Sequence, residues 1–134
     1  AQLIILSSKM DEFTNDFIMD LREKTENELI YSEYCDLSDL SSVRKFATAW
    51  IDNITPRRLD GIVLMHGEMQ PIMGKKRYEK HTSKDGVELQ MSINCVGTFH
   101  LLNLLKPCIK SQPPDRDQNC LQYLYLASIG KCLS

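Results

Sequence analysis

Asn94 is the residue whose setting most asks for a chemical explanation. Between Thr82 and Leu105 the chain turns at Asp85-Gly86. It then carries Val87, Met91, Val96, Phe99, Leu102 and Leu105 at roughly helical spacing, with the Asn94 amide enclosed among them. Burying an amide without hydrogen-bond partners costs about 1 to 3 kcal/mol, so Asn94 is expected to have a dedicated partner. Spacing alone allows either a working amide or one capped by a neighbouring carbonyl. The five cysteines, Cys35, Cys95, Cys108, Cys120 and Cys132, lack the C-x-x-C pairs of a zinc site or redox dithiol. They read as reduced, buried thiols. The basic run Lys75-Lys76-Arg77 lies in a loop and reads as solvated surface.

The elements that must position such groups follow from periodicity. Residues 2–6, ending in Leu3-Ile4-Ile5-Leu6, form a short apolar run stopped by Ser7-Ser8, as in a strand buried on both faces. Asp11 can cap the helix that follows, with Phe13, Phe17, Ile18 and Leu21 on one face before residues 24–27 break the pattern. Residues 29–35 read as a second strand ending at Asp36. Ser38 or Asp39 can cap a second helix with Val43, Phe46, Ala47, Trp50, Ile51 and Ile54 on its apolar face, closed by Pro56. Residues 61–65 are a third strand, and residues 66–85 a long loop of the kind that carries function or moves. The Asn94 helix then runs to Pro107 or Lys110, and after a polar connection residues 121–127 make a fourth strand.

Strands alternating with helices predict an α/β fold, with βαβ units building a parallel sheet covered on both faces. Ligands of such sheets bind beyond the carboxyl ends of the strands. That rule selects Ser7 to Lys9, Asp36-Leu37, Met65 to Glu68 and Ala127 to Gly130 as the residues to inspect. The 134 residues suit one domain, and 43% hydrophobic with 25% charged residues is ordinary globular composition. A net charge of -2 gives no nucleic-acid footprint. No run approaches ~18 continuous apolar residues, and no basic-then-apolar leader opens the sequence. A reducing, intracellular compartment is expected, with membrane attachment left open.

In four places, in order along the whole chain, the sequence resembles the short-chain dehydrogenase/reductase family, and within it the retinol-dehydrogenase-like group. Asp36-Leu37 followed by S-D-L-S-S-V is similar to that family's strand-end motif, whose carboxylate accepts from the adenine amino group. T-S-K-D-G-V-E-L-Q-M-S-I-N-C-V-G-T-F-H-L-L is similar to the helix whose N-x-x-G supplies an active-site asparagine. The resemblance makes Asn94 the residue that holds a water in a proton relay, and gives Gly97 a role in close helix packing. L-Y-L followed by A-S-I-G is similar to the element that carries the substrate-orienting serine, here Ser128. Leu64-Met65-His66-Gly67 stands where the family has N-N-A-G. The glycine remains and can let backbone approach a cofactor, but both asparagines are gone and His66 replaces a small residue with no visible partner. A loop histidine facing solvent is the expectation there.

The resemblance implies an α/β fold that is part of a doubly wound, Rossmann-like parallel sheet: residues 1–134 as an incomplete NAD(P)-binding domain holding the second to fifth strands. The glycine-rich phosphate loop is expected before Ala1 and Y-x-x-x-K after Ser134. In the order 3-2-1-4-5 the four strands would then form two pairs, residues 2–6 beside 29–35 and 61–65 beside 121–127, a piece not expected to fold alone. What the family implies is hydride transfer between a nicotinamide cofactor and a carbonyl or alcohol, with Asn94 and Ser128 catalytic and Ser8, Lys9, Asp36, Leu37 and Gly67 binding the cofactor. Ser7-Ser8-Lys9 lacks an acid for a ribose 2′-hydroxyl and offers a cation for a 2′-phosphate, so NADP is preferred slightly over NAD. Asp11 would reverse this if the strand ends two residues later. The substrate is expected to be a small molecule of lipid-like type, and the family's habit of dimerising points to the helix from Glu88 to Lys110. The alternative is a truncated or degenerate, non-catalytic member that keeps the scaffold as a binding or interaction module.

Overall fold

The four short apolar runs become four strands because each alternates with a helix long enough to cross back over a sheet. The structure is a computed structural model that describes residues 2–52, 59–69, 81–110 and 124–125. Strand β1 (Leu3–Ser7) leads into α1 (Glu12–Thr25), β2 (Ile30–Tyr34) and α2 (Leu40–Ile51). Strand β3 (Val63–Leu64) follows, then the Asn94 helix in three parts: α3 (Leu89–Met91), a π-helical stretch (Ser92–Gly97) and α4 (Thr98–Lys110). Strand β4 (Leu124–Tyr125) completes the described elements.

β1 pairs in parallel with β2, Leu3 opposite Ile30 through Ser7 opposite Tyr34, and β3 pairs in parallel with β4. The two pairs are separate two-stranded sheets, in the grouping that the order 3-2-1-4-5 predicts. β1 runs one residue further than the sequence suggested, to Ser7, whose carbonyl accepts from Cys35 N–H at 2.9 Å. β3 and β4 are shorter than the apolar runs that contain them.

Capping fixes where the helices start. Asp11 accepts from Thr14 N–H at 3.0 Å and from its hydroxyl at 2.8 Å, so α1 begins at Glu12. Of the two cap candidates for α2, Asp39 does the work: its Oδ1 accepts from the N–H groups of Ser41 and Ser42 at 2.9 and 3.3 Å. Glu88 caps α3 through Gln90 and Met91 N–H. The turn at Asp85-Gly86 is held by Gly86 N–H donating to Ser83 O at 3.0 Å, with Gly86 at φ +76, a value that favours glycine. From that turn Asp85 Oδ2 accepts from Leu40 N–H at 2.9 Å and Lys84 pairs with Asp39 at 2.7 Å. The loop before the Asn94 helix therefore clamps the start of α2.

Core packing joins α2 and α4 to the β1–β2 pair. Val43, Ala47 and Trp50 of α2 are buried with Leu101 and Leu105 of α4 and with Cys35, and Ile4, Leu6, Leu37 and Phe46 pack around them. Burying each large aliphatic side chain contributes about 1.5 to 3 kcal/mol. On α2 the predicted face holds at Val43, Phe46, Ala47 and Trp50; Ile51 is exposed, and Ile54 lies outside the described residues. On α1 only Ile18 of the predicted face is buried, while Phe13 and Phe17 are exposed. The larger correction concerns the Asn94 helix. Its buried positions are Ser92, Gly97, Thr98, Leu101 and Leu105, whereas Met91 and Phe99 are exposed at 52% and 71%. A π-helical turn holds more residues than an α turn, so Ser92–Gly97 rotates the inward face out of the phase that a continuous 3.6-residue period predicts.

Candidate functional site

The carboxyl ends of β1 and β2 lie side by side, since Ser7 is opposite Tyr34 and bonds Cys35. This brings Ser8-Lys9 and Asp36-Leu37 to one edge, as the strand-end rule anticipated. Ser7 Oγ folds the first turn: it donates to Lys9 O at 2.7 Å and accepts from Lys9 N–H at 3.1 Å. Ser8 and Lys9 are exposed; the Lys9 ammonium makes no close salt bridge among the described residues, and its charge acts at longer range on Asp11. Asp11 is committed to capping. Its hydrogen bonds from Thr14 hold its carboxyl below the usual carboxylate range.

Asp36 is built as a presented carboxylate. Its Oδ1 accepts from Ser38 N–H at 2.9 Å and from Ser38 Oγ at 2.7 Å, while its own N–H donates to the buried Ser42 hydroxyl at 3.0 Å. Oδ2 accepts no hydrogen bond among the described residues, and Leu37 N–H has no acceptor among them. Among the described residues, consecutive residues at the sheet edge thus keep one acceptor and one donor unused, a complement to the amino group and ring nitrogen of an adenine. Beside them the Cys35 thiol is pushed up to about 11, chiefly by burial and then by the Asp36 charge. It stays protonated at neutral pH and is a core side chain, not a nucleophile.

Leu37 touches the Asn94 helix. A Cβ placed on Gly97 would lie 2.1 Å from Leu37 O and 2.9 Å from Leu37 C, so only a glycine admits this approach. One turn before Gly97, within the π-helical stretch, stands Asn94. Its partner is the backbone of Glu68: Asn94 Oδ1 accepts from Glu68 N–H, and Asn94 Nδ2 donates to Glu68 O, both at 2.9 Å. The half-buried amide therefore brackets the residue after Gly67 and fixes the loop that leaves β3.

His66 does not face solvent alone. It is half-buried, with Nε2 2.6 Å from Thr98 Oγ1, and that hydroxyl also donates to Ile93 O at 3.0 Å. Burial lowers the His66 pKa, opposed by the carbonyl of Ile93. The structure thus gathers Asp36, Leu37, Gly67 and Asn94 around the start of the Asn94 helix, with Ser8 and Lys9 at the neighbouring strand end. Ser128 lies outside the described residues. Sequence reasoning missed Glu68 because it acts through its backbone, which any residue supplies, and Thr98 because a lone threonine after a glycine carries no pattern. Among the described residues no group of three or more His, Cys, Asp or Glu side chains could hold a metal ion, and no helix is long and apolar enough to cross a membrane.

No protein-family model matches the chain. It is 56% identical over 119 residues to an uncharacterized oxidoreductase of Saccharomyces cerevisiae, an alignment covering 87% of this chain and 29% of that protein. Against human retinol dehydrogenase 13 it is 31% identical over 124 residues, covering 92% of this chain and 35% of the relative. The chain thus spans about a third of the length of these relatives. Among solved structures, the Pseudomonas aeruginosa RhlG/NADP active-site complex superimposes with a TM-score of 0.57 at 19% identity, over 84% of this chain and 40% of that one, and shares the fold.

Proposed function

On the premise that the chain belongs to the short-chain dehydrogenase/reductase family, as its relatives show, we propose that it forms the cofactor-binding centre of an NAD(P)-dependent oxidoreductase acting on a carbonyl or alcohol. The observation that carries this reading is the Asp36-Leu37 edge, where a carboxylate oxygen and an N–H that have no partner among the described residues stand on adjacent residues, with Leu37 against the Asn94 helix at Gly97. A bound nicotinamide would supply hydride chemistry, its reduced form giving hydride to a carbonyl carbon as the oxygen gains a proton, or its oxidised form taking hydride from an alcohol as the hydroxyl loses one.

This chain's residues divide the remaining work. Asp36 Oδ2 accepts from the adenine amino group, held in place by Ser38 on its other oxygen. Gly67 leaves room for the cofactor at the loop that Asn94 fixes through Glu68. Asn94 and Ser128 have the roles the resemblance implies, Asn94 in a water-mediated proton relay and Ser128 orienting the substrate oxygen. Lys9, exposed and without a close salt bridge among the described residues, meets a 2′-phosphate, while Asp11 is engaged as a helix cap; both favour NADP. Retinoid-like or other lipid-like carbonyls and alcohols are the substrate class, in keeping with the name of the human relative. A homodimer through Glu88 to Lys110 belongs to the same proposal, supported by the exposure of Met91 and Phe99; a Phe99→Glu chain that sediments like wild type would remove it.

The test is an NADPH fluorescence titration on the full-length natural protein, with Asp36→Ala and Ser128→Ala. Saturable binding weakened in Asp36→Ala, and turnover lost in Ser128→Ala with binding retained, is the expected pattern. No NADPH or NADH binding by the full-length protein would leave the scaffold as an interaction module.

A further inference from the structure

The loop that leaves β3 is tied twice to the Asn94 helix. Glu68 supplies one tie, its backbone gripped by the Asn94 amide at 2.9 Å on both sides. Two residues earlier His66 supplies the other, its Nε2 2.6 Å from the hydroxyl of Thr98, a residue only 4% exposed. The two ties are four residues apart on the helix and two on the loop, and Gly67 lies between them. Thr98 also donates to Ile93 O at 3.0 Å, five residues back, which is the reach of the π-helical stretch itself. The Ile93 carbonyl also faces the His66 ring, so ring, hydroxyl and carbonyl form one cluster in which the imidazole tautomer sets which of Nε2 and Thr98 Oγ1 donates.

We propose that His66 is a positioning residue: through Thr98 it holds the π-helical stretch and the Gly67 loop in register, so that Asn94 meets Glu68 and the loop presents Gly67 backbone to the cofactor. Only an imidazole or a hydrogen-bonding side chain of the same reach does this, and the sequence has no amide at positions 64–66 to share the load. The functional consequence rests on the reductase reading, but the structural claim does not.

Hydrogen exchange separates the two. In the full-length natural protein, exchange is followed on peptides spanning residues 62–69 and 92–98 in wild type, His66→Ala, His66→Gln and Thr98→Val, alongside NADPH titration. Loss of one tie is expected to speed exchange of the Glu68 amide roughly three- to tenfold in His66→Ala and Thr98→Val. His66→Gln, whose amide reaches the same point, is expected to restore protection, and His66→Ala with Thr98→Val to add nothing to either alone. NADPH affinity is expected to fall and recover in the same order. Unchanged Glu68 protection in both Thr98→Val and His66→Ala overturns the proposal, and so does a His66→Gln chain no better protected than His66→Ala. Should His66→Ala fail to fold, Thr98→Val decides it alone, unchanged Glu68 protection there overturning the proposal. If wild type binds no NADPH, the reductase reading falls while the exchange results still judge His66.

Discussion

Gly97 lies against Leu37 so closely that a Cβ on it would meet the Leu37 carbonyl oxygen at 2.1 Å. The obstacle is backbone at the end of β2, which cannot swing aside as a side-chain tip can. Gly97→Ala is therefore expected to destabilise the fold by about 1 to 3 kcal/mol or more, as overpacking does. It should also move Asp36-Leu37 relative to Asn94. Urea denaturation of the full-length protein checks the first effect and NADPH affinity the second; a change within about 0.5 kcal/mol would mean the helix can retreat without cost.

The Asn94 bracket is specific to an amide, because it needs one donor and one acceptor on the same side chain. Asn94→Asp keeps the acceptor but turns the donor into a second oxygen facing Glu68 O. Asn94→Leu removes both. Each variant is expected to cost about 1 to 2 kcal/mol, with Asp no better than Leu above pH 5 despite its closer shape. A stable Asn94→Asp chain would show that the Glu68 carbonyl contact contributes nothing.

How much of this was legible in the sequence depends on whether a feature lives in side chains or in backbone. The strand pairs and helix caps were readable: Leu3-Ile4-Ile5-Leu6 does form a strand, although Leu3 is exposed and the others are only half-buried where burial on both faces was expected, and Asp11 and Asp39 stand where caps stand. Asn94 stood out because an amide among apolar residues must have a partner. What could not be read was the partner, since Glu68 contributes only peptide groups. The inward face of the Asn94 helix was misplaced for a related reason. Hydrophobic period assumes one kind of helix throughout, and the π-helical stretch Ser92–Gly97 breaks that assumption, leaving Phe99 outside and Thr98 inside. His66 was expected in solvent because its partner, Thr98, is 32 residues away and carries no motif.

Asp39 gives the fold a pH signature. The Lys84 ammonium at 2.7 Å, with help from Ser41, holds its carboxyl well below the usual range. A carboxyl with a lowered folded pKa contributes stability that is present above its unfolded pKa of about 3.9 and is lost as pH falls through the folded value. Asp39→Asn keeps the α2 cap but not the charge. Melting temperatures between pH 2 and 7 should therefore converge toward low pH, with wild type's full lead present above about pH 4 and shrinking steadily below it. Lys84→Met should flatten the difference in the same way. Parallel curves for wild type and Asp39→Asn would show that the pair is too solvated to matter.

Asp36 should be separable from the fold it sits in. Its Oδ1 anchors Ser38, and Asn in its place can keep that contact through its own oxygen, so Asp36→Asn is expected to fold normally. The adenine amino group, however, would then meet an amide N–H where it had met a carboxylate oxygen. NADPH and NADH affinity should fall together by roughly tenfold or more, the effect of a lost charge-assisted hydrogen bond. A selective loss of one cofactor would place Asp36 at the ribose instead of the adenine.

Lys9 should choose between the cofactors. Its ammonium is exposed and makes no close salt bridge among the described residues, and Ser7 fixes its backbone from both sides. A 2′-phosphate brought to the end of β1 would find a cation there, whereas for a bare 2′-hydroxyl the neighbouring carboxylate, Asp11, is already turned to Thr14. Lys9→Glu reverses the charge. The NADPH-to-NADH affinity ratio is expected to drop at least about tenfold, because a contact to a charged group is worth about 1.5 to 3 kcal/mol. The contact lies at the surface, so the drop should shrink as ionic strength rises toward ~1 M, where the Debye length is about 3 Å. Titrating both cofactors with wild type and Lys9→Glu at two salt concentrations decides it: a ratio that does not move removes Lys9 from the phosphate site, and one that moves without salt dependence points to a rearranged loop in place of a lost charge.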